Sequence, residues 1–214
     1  MKKSRSPAAV EEIRRKILDA ALSLISAEGF SALTMRALAK RLDMSAPNLY
    51  NFFASKDEIY ITLVIQGFTL LHETMQKAAK ENADPLERGR AMALAYLDFG
   101  MNQPAHYEIM FTSRTPKHDD YVGTPLESLA DIELDLSMKV AGLATQAAAG
   151  IAAARPTATP VDVADGVIHV WSLLHGMVSL RNSGVMAYVA TDPPSAYHRV
   201  LDGFLALYSG PVLE

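Results

Sequence analysis

Apolar residues recur at intervals of three and four along nearly the whole chain, which is the spacing of one face of an α-helix. The first such run covers residues 10–27, where Ile13, Ile17 and Leu24 share a face and charged residues occupy the others. No strand-like alternation persists over more than a few positions. The pattern therefore predicts an all-α protein of about nine helices.

Capping residues mark where the predicted helices begin and end. Gly29 is a stop signal for the first helix, and Thr34 and Ser45 each precede a short helix. The capping box that starts at Ser55 opens a helix of about 25 residues, Lys56 to Lys80. Further helices are predicted to start near Asp84, Pro104, Leu126, Thr159 and Asp192. The polar stretch 112–124 is predicted to be a mobile loop.

The two short helices have the composition of a helix-turn-helix. Helices that cross steeply need a small residue where they touch, and Ala39 supplies it, with Leu38 and Leu49 as inward residues around the turn. The second helix then presents short side chains, which suits close approach to the major groove of DNA. These features predict an N-terminal three-helix DNA-binding domain.

The motifs of residues 14–66 resemble the DNA-binding domain of the TetR (tetracycline-repressor) family. They read Ile17-Leu-Asp-Ala-Ala-Leu, Glu28-Gly-Phe, Leu33-Thr-Met-Arg-Ala-Leu-Ala39, Ser45-x-x-x-Leu49-Tyr50-x-x-Phe53 and Lys56-Asp-Glu. Asp43 departs from the family, which usually has Gly in the turn. Asp tolerates a left-handed backbone better than most residues, so we expect the turn to form. Asn51-Phe52 is a second departure, since His or Tyr is commoner there in the family. It affects which bases are read and not whether DNA is bound.

The resemblance implies a DNA-binding domain at residues 1–55 and a ligand-binding and dimerisation domain at residues 56–214. It assigns phosphate contacts to Tyr50 and Lys56. The predicted DNA-contact residues are Thr34, Arg36, Ser45, Ala46, Pro47, Asn48, Tyr50, Asn51 and Lys56. The two asparagines suit an adenine edge, and Ala46 or Pro47 suits a thymine methyl group. Packing within the domain is the alternative for each base contact.

A second resemblance lies in the C-terminal half. The string Trp171-Ser-Leu-Leu-His175-Gly176 is similar to the Trp-His-Gly type of C-terminal domain in the same family. That domain implies a homodimer, in which the last two helices form a four-helix bundle with their twofold mates. The predicted interface residues are Val163, Val167, Val170, Leu174, Val178, Val200, Phe204 and Leu207. Burial within one chain is the alternative.

Methionine and aromatic residues in the same region suit an adaptable, largely apolar pocket for a small-molecule effector. The candidate lining residues are Phe68, Leu71, His72, Met75, Met92, Tyr96, Phe99, Tyr107, Phe111, Met138, Trp171 and His175. Any one of them can instead be a core residue. The resemblance favours a repressor that the effector releases from a palindromic double-stranded operator.

Charged residues are distributed differently in the N-terminal part and in the remainder of the chain. The formal net charge is −4. Residues 1–60 hold ten Lys/Arg and seven Asp/Glu, whereas residues 61–214 hold ten and seventeen. A basic N-terminal part on an acidic remainder favours binding of a polyanion by the N-terminal part alone.

Several function classes are not expected. The chain has no Cys, which leaves no disulfide or thiolate metal site. It also has no Gly-rich phosphate loop, nucleophile elbow or His-Glu-x-x-His pair, so we expect neither an enzyme nor a cofactor. No signal peptide or clear membrane-spanning run is present, which predicts a soluble cytoplasmic protein without a membrane partner.

Two questions stay open at the level of the sequence. Glu127, Asp131 and Asp135 form a line on one helix that is either a solvated stripe or a cation pocket, and His118 lies in a polar loop beside two aspartates. A helical ligand-binding or adaptor protein without DNA binding is the competing function. The block from Thr34 to Lys56 is what separates the two functions.

Overall fold

The computed structural model describes residues 6–112, 115–154 and 162–209, and all regular structure in them is helical. The ten α-helices are α1 (Pro7–Glu28), α2 (Met35–Arg41), α3 (Ala46–Leu49), α4 (Lys56–Lys80), α5 (Pro85–Asn102), α6 (Pro104–Tyr107), α7 (Glu127–Ala154), α8 (Val163–Asn182), α9 (Met186–Val189) and α10 (Pro193–Ser209). Short 3-10 turns cover Phe30–Ala32 and His118–Asp120, and a π-helical turn covers Glu108–Thr112. The predicted all-α class is confirmed.

The described residues form one helix more than the predicted number of about nine, because α9 was not recognised in the sequence. It follows Gly184, whose φ is +76°, and its four residues are too short to show a helical period. The start of α8 also differs, since Asp162 caps this helix through the backbone N–H groups of Ala164 and Asp165. The predicted start signal at Thr159-Pro160 and the stop signal at Gly210-Pro211 lie outside the described residues.

The stretch predicted to be a mobile polar loop has two buried anchors among its described residues. Thr115 and Tyr121 are only 9% and 7% exposed. The hydroxyl of Tyr60 donates to Thr115 Oγ1 over 2.6 Å, and the turn His118–Asp120 continues the chain towards Tyr121. Two buried anchors among polar neighbours do not produce a periodic pattern, so the sequence suggested an open loop.

The chain divides into two compact units. We call residues up to 68 together with 105–135 the head unit, and residues 69–104 together with those from 136 onwards the body unit. The predicted boundary at residue 55 separates two functions, and it stays a prediction.

The head unit has its own core. Helix α1 buries one face, made of Ile17, Leu18, Ala21, Leu24 and Ile25. The predicted residues of the crossing are also buried: Ala39 is 3% exposed, and Leu38 and Leu49 are 0% exposed. Helices α2 and α3 also pack against each other in this unit.

The body unit is organised around α5, against which both α8 and α10 pack. An ion pair joins Arg90 Nε on α5 to Asp202 Oδ1 on α10 over 2.6 Å. At its other end α5 accepts a hydrogen bond from Asn182 Nδ2 at the carbonyl of Gly100, over 3.0 Å. Polar contacts therefore fix both ends of α5 within this unit.

Candidate nucleic-acid interface

Helix α2 begins with a cap that is itself a predicted DNA contact. The hydroxyl of Thr34 accepts a hydrogen bond from the backbone N–H of Ala37 over 3.1 Å. Thr34 and Arg36 are both exposed. Because the cap fixes the first turn, Thr34 and Arg36 lie at a defined helix end.

The turn between α2 and α3 has the hydrogen-bond pattern of a Schellman motif. The N–H of Met44 donates to the carbonyl of Ala39 over 2.9 Å, and the N–H of Asp43 donates to the carbonyl of Lys40 over 3.3 Å. Asp43 has a φ of +51°, and it is the one non-glycine residue with positive φ in the described chain. The expectation that Asp43 adopts the left-handed conformation usually taken by Gly is confirmed.

Helix α3 is a single turn with one buried anchor. Ser45 Oγ accepts from the N–H of Asn48 over 3.4 Å, and Pro47 occupies the first turn, where its missing N–H is tolerated. Leu49 is fully buried, whereas Ser45 and Pro47 are exposed and Ala46 and Asn48 are half-buried. The helix thus presents only short side chains outward.

Two predicted contacts follow α3 directly. The side chain of Tyr50 is 53% exposed although aromatic, and Asn51 is exposed beside it. An exposed Tyr carries a hydroxyl that can donate to a phosphate oxygen.

Lys56 opens α4 and lies over an aromatic ring. Its Nζ is 5.1 Å from the ring centroid of Phe30, which restrains the ammonium group. The predicted capping box at Ser55 forms with one change. Ser55 Oγ accepts from the N–H of Glu58 over 3.0 Å, as expected. The return bond, in which Glu58 Oε2 accepts over 2.6 Å, comes from the N–H of Ala54 and not from that of Ser55. Lys56 is therefore held within a defined helix start.

Arg14 joins α1 to the segment that carries these residues, and the sequence did not single it out. Its guanidinium donates to the carbonyl of Phe52 and lies 4.0 Å from the ring centroid of Phe53. Its Nη2 is 3.9 Å from Glu58 Oε1. A charged residue on an amphipathic helix indicates a solvated face, so only the three-dimensional structure identifies this contact.

The predicted effector-pocket residues are distributed over both units. In the head unit, the ring centroids of Phe68 and Tyr107 lie 5.7 and 5.0 Å from that of Phe111. In the body unit, Trp171 Nε1 donates to the hydroxyl of Tyr96 over 2.9 Å. Leu71, Met75, Met92, Tyr96 and Phe99 are buried, His72 and His175 are half-buried, and Met138 and Trp171 are 63% and 48% exposed. The effector-pocket set therefore stays a prediction.

The predicted dimer residues show a graded exposure in the single chain. Leu174 and Val178 are 5% and 0% exposed, so contacts within the chain bury them. Val163, Val167, Val170 and Phe204 are half-buried and Val200 is 42% exposed. The side chain of Leu207 lies outside the described residues.

Helix α8 leaves much of its apolar surface open. Ile168 is 56% exposed, and only 17% of the apolar stretch of α8 is buried. Its mean hydropathy of 1.3 makes it the one described helix that could cross a membrane by length and composition alone. An apolar helix so little covered needs a further partner.

The acidic stripe of α7 is engaged in local contacts. Asp131 Oδ1 lies 2.9 Å from His118 Nε2, and Glu127 Oε2 accepts from the N–H of Gly123 over 3.0 Å. The hydrogen bond to Asp131, then that to Asp119, raises the pKa of His118 above its ordinary value. Within the described residues no three His, Asp or Glu side chains are grouped to hold a metal ion.

Two models of protein families match the chain. Residues 17–63 match "Bacterial regulatory proteins, tetR family". Residues 90–204 match "Tetracyclin repressor-like, C-terminal domain". The second match alone covers more than half of the chain.

The curated relatives include both transcriptional repressors and a transcriptional activator. The chain is 27% identical over 116 residues to the uncharacterized HTH-type transcriptional regulator YobS of Bacillus subtilis, covering 54% of this chain and 60% of that protein. It is 34% identical over 80 residues to the transcriptional repressor KstR of Mycolicibacterium smegmatis, covering 37% and 39%. It is 28% identical over 151 residues to the transcriptional activator FasR of the same organism, covering 66% of each. The matched part of the chain thus spans less than two thirds of the length of YobS and of KstR.

Solved structures share the fold at low identity. The putative regulatory protein SCO4313 matches with a TM-score of 0.70 and 22% identity, covering 97% of this chain and 100% of that one. AibR in complex with isovaleryl coenzyme A and operator DNA matches with a TM-score of 0.63 and 20% identity, covering 92% and 98%.

Proposed function

Since this chain belongs to the tetracycline-repressor family of DNA-binding transcriptional regulators, we propose that it is a homodimeric repressor released from a palindromic operator by a small, largely apolar effector. The observation that carries the proposal is the capped pair α2–α3, which is joined by the left-handed turn at Asp43 and leaves Ser45 and Pro47 exposed. A function on operator DNA would put the protein in the bacterial cytoplasm, which we propose as its location.

DNA contacts are proposed in two groups. Tyr50, Lys56 and the start of α2 at Thr34 bind phosphates and fix the position of the head, whereas α3 reads base edges. Asn48 and Asn51 have the amide that can pair with adenine, and Ala46 and Pro47 can pack on a thymine methyl. Arg36 and Ser45 contact the flanking backbone.

The dimer is proposed to form through α8 and α10. The open apolar surface of α8 supports this arrangement, because a second copy would cover Ile168, Trp171 and Val200, which one chain leaves exposed. A second head is also needed because a single turn of reading helix offers few base contacts. Two such helices related by a twofold axis would reach major grooves about one DNA turn apart.

The effector is proposed to bind in the body unit and to act through α4. Buried Met75, Met92, Tyr96 and Phe99 offer the apolar and aromatic surface that such pockets use. The proposed body is of the Trp-His-Gly type, on the string at Trp171-His175-Gly176. AibR, which shares the fold, was solved with isovaleryl coenzyme A and operator DNA together.

The DNA-binding part is tested with the double variant Tyr50→Ala, Lys56→Ala. An operator is first selected from random duplexes with the wild-type protein, and affinities are then measured by gel shift over a series of salt concentrations. We expect affinity to fall roughly tenfold or more for every sequence, and the salt slope to lose about one unit. Circular dichroism should be unchanged.

The matched control is Tyr188→Ala, Lys77→Ala, which removes the same residue types from exposed positions. Control and wild type should bind alike. Unchanged affinity in the Tyr50–Lys56 variant would refute these phosphate contacts, and a wild type that selects no duplex would favour the adaptor function. A promoter reporter that rises when the gene is deleted identifies a repressor, and one that falls identifies an activator.

A further inference from the structure

A small cleft in the head unit shares no lining residue with the predicted effector pocket. Apolar walls come from Ile61 and Val64 of α4, Met110, and Ala130 of α7, and its polar groups are Tyr60, Tyr121 and Glu133. Lys117 and His118 complete the lining beside Pro116. About 20 Å³ is open to a water-sized group, which is room for one such group.

Tyr121 supplies an unused hydrogen-bonding group to this cleft. The residue is 7% exposed, and its buried hydroxyl has no hydrogen-bond partner in the described chain. Buried hydroxyls nearly always have a partner. An occupant of the cleft that donates a hydrogen bond would provide one, because the phenol oxygen also accepts.

Glu133 places a carboxyl group in the same cleft. Burial raises its pKa above the ordinary value, while Lys117 and His118 act in the opposite direction. No described residue pairs with this carboxylate within hydrogen-bond or ion-pair distance. A charged donor in the cleft would therefore offset the desolvation of the carboxylate.

The surrounding charges favour a cation over an anion. Burial first, then the charges of Asp57, Asp120 and Glu133, raise the pKa of Tyr121. The imidazole of His118 is already held between Asp119 and Asp131. Lys117 is the remaining cation of the lining, and its Nζ lies 3.4 Å from Thr115 Oγ1. Carboxylates thus outnumber unpaired cations around the cleft.

We propose that this cleft binds the ammonium group of a small primary amine, between the Glu133 carboxylate and the Tyr121 hydroxyl. The Tyr60 hydroxyl donates its proton to Thr115 Oγ1, so its oxygen is left as a third acceptor in the lining. The alkyl part of the amine extends out of the open side of the cleft, because the space beside the acceptors holds only one water-sized group. Metal ions are disfavoured because the polar lining offers too few carboxylate and imidazole ligands.

The position of the cleft links it to DNA binding, and this part rests on the proposed function. Tyr60 is one helical turn after Lys56 on α4, so an occupant touches the helix whose first residue is a proposed phosphate contact. Filling the cleft restrains the start of α4 and the Thr115–Tyr121 segment together. Amine binding should consequently change operator affinity without any contact to DNA.

Ligand binding is measured first on the full-length protein without DNA. Thermal unfolding is followed in increasing ethylammonium chloride, with equal concentrations of sodium chloride and sodium propionate as controls. We expect a saturable rise in Tm with ethylammonium above that with either control salt. A rise no larger than that with sodium chloride, or an equal rise with propionate, overturns the proposal.

Variants locate the binding. Glu133→Gln and Tyr121→Phe should weaken ethylammonium binding by about tenfold or more, each measured against its own ligand-free Tm. Glu28→Gln removes the same charge from an exposed position and should bind as the wild type does. Wild-type affinity in both cleft variants means that ethylammonium binds elsewhere, which overturns the proposal.

A gel shift separates this proposal from the DNA-binding one. With an operator in hand, ethylammonium should change the affinity of the wild type at least threefold, and that of Glu133→Gln much less. An amine that binds the cleft without changing operator affinity overturns the link to α4 but leaves the site. Absent operator binding together with saturable amine binding refutes the proposed function alone.

Discussion

Helices α1 and α8 are similar in length, with 22 and 20 residues, but they differ in how much of their apolar surface is buried. Helix α1 buries five residues in the head unit. Helix α8 buries Leu174, Met177 and Val178, and leaves Ile168 and Trp171 about half exposed. The head core is thus completed by one chain, whereas the apolar surface of α8 is not. Head stability should be independent of protein concentration, and α8 should respond to a second copy.

The largest expected effect is at Leu38, which is fully buried in the head unit. Leu38→Ala should lower the free energy of unfolding by about 2–5 kcal/mol, because it removes buried apolar surface and leaves a cavity. Urea unfolding at two protein concentrations should show the same loss at both. A loss that depends on concentration would mean that the head core is not complete in one chain.

An effect on assembly is expected at Ile168, which is 56% exposed in the single chain. Ile168→Arg should weaken the dimer by roughly 30-fold, since it places a charge in an apolar interface. Sedimentation velocity over a range of concentrations measures this change. Ala83→Arg adds the same charge at an exposed turn and should leave the dimer intact. A dimer that tolerates Ile168→Arg would place the interface elsewhere.

Arg14 connects α1 to the segment between α3 and α4, so we expect it to position the DNA-contact residues of the head unit. Arg14→Met keeps the length of the side chain and removes the bond to Phe52 and the ion pair with Glu58. We expect operator affinity to fall about tenfold, through displacement of Tyr50 and Lys56 while circular dichroism shows the head still folded. Arg14→Lys should recover only part of this loss, since it lacks the planar fork. Equal affinity in all three proteins would contradict the positioning role.

A smaller effect is expected from pH at Glu133, whose pKa burial raises. The folded protein then binds this proton more tightly than the unfolded chain does, so Glu133 costs stability as pH rises through its folded pKa. Glu133→Gln should therefore be more stable than the wild type at neutral pH, and the difference should shrink as pH falls through that range. Urea unfolding at several pH values measures the difference. A stability difference between the two proteins that does not change with pH would mean that the pKa of Glu133 is not raised.

The smallest effect is expected at Asp43, where φ is +51°. Asp43→Gly should raise the free energy of unfolding by about 0.5 kcal/mol, because Gly has no steric cost in the left-handed conformation. Asp43→Ala keeps a side chain there and should lower stability. Thermal unfolding of the three proteins tests the order, and a less stable Gly variant would show that the Asp side chain itself stabilises the turn.

Local signals explain why the head could be predicted so closely from its sequence. The caps Thr34, Ser45 and Ser55 each accept from a backbone N–H three residues further on, so the interaction is encoded where it occurs. The bounds of α4, Lys56 to Lys80, agree with the predicted ones. The family resemblance added the assignment to DNA binding, which physical patterns alone suggested but did not specify.

Contacts distant in sequence account for what the sequence did not show. The cleft joins α4 to Tyr121 and Glu133, more than fifty residues away. Arg14 reaches Phe52 across 38 residues. Periodicity tells which side of a helix is apolar, but it does not tell which helix lies opposite. The lining of an effector pocket depends on such pairings, and so the candidate residues in the body unit remain a prediction.

One close approach within the head unit joins α4 to the segment after α6. A Cβ at Gly67 would lie 2.4 Å from Sδ of Met110, so the thioether occupies a notch in α4 that only a residue without a side chain leaves open. A side chain at position 67 would have to displace Met110, whose unbranched thioether is flexible. The absence of a side chain at Gly67 therefore sets how closely the segment after α6 approaches α4, the helix that begins at Lys56.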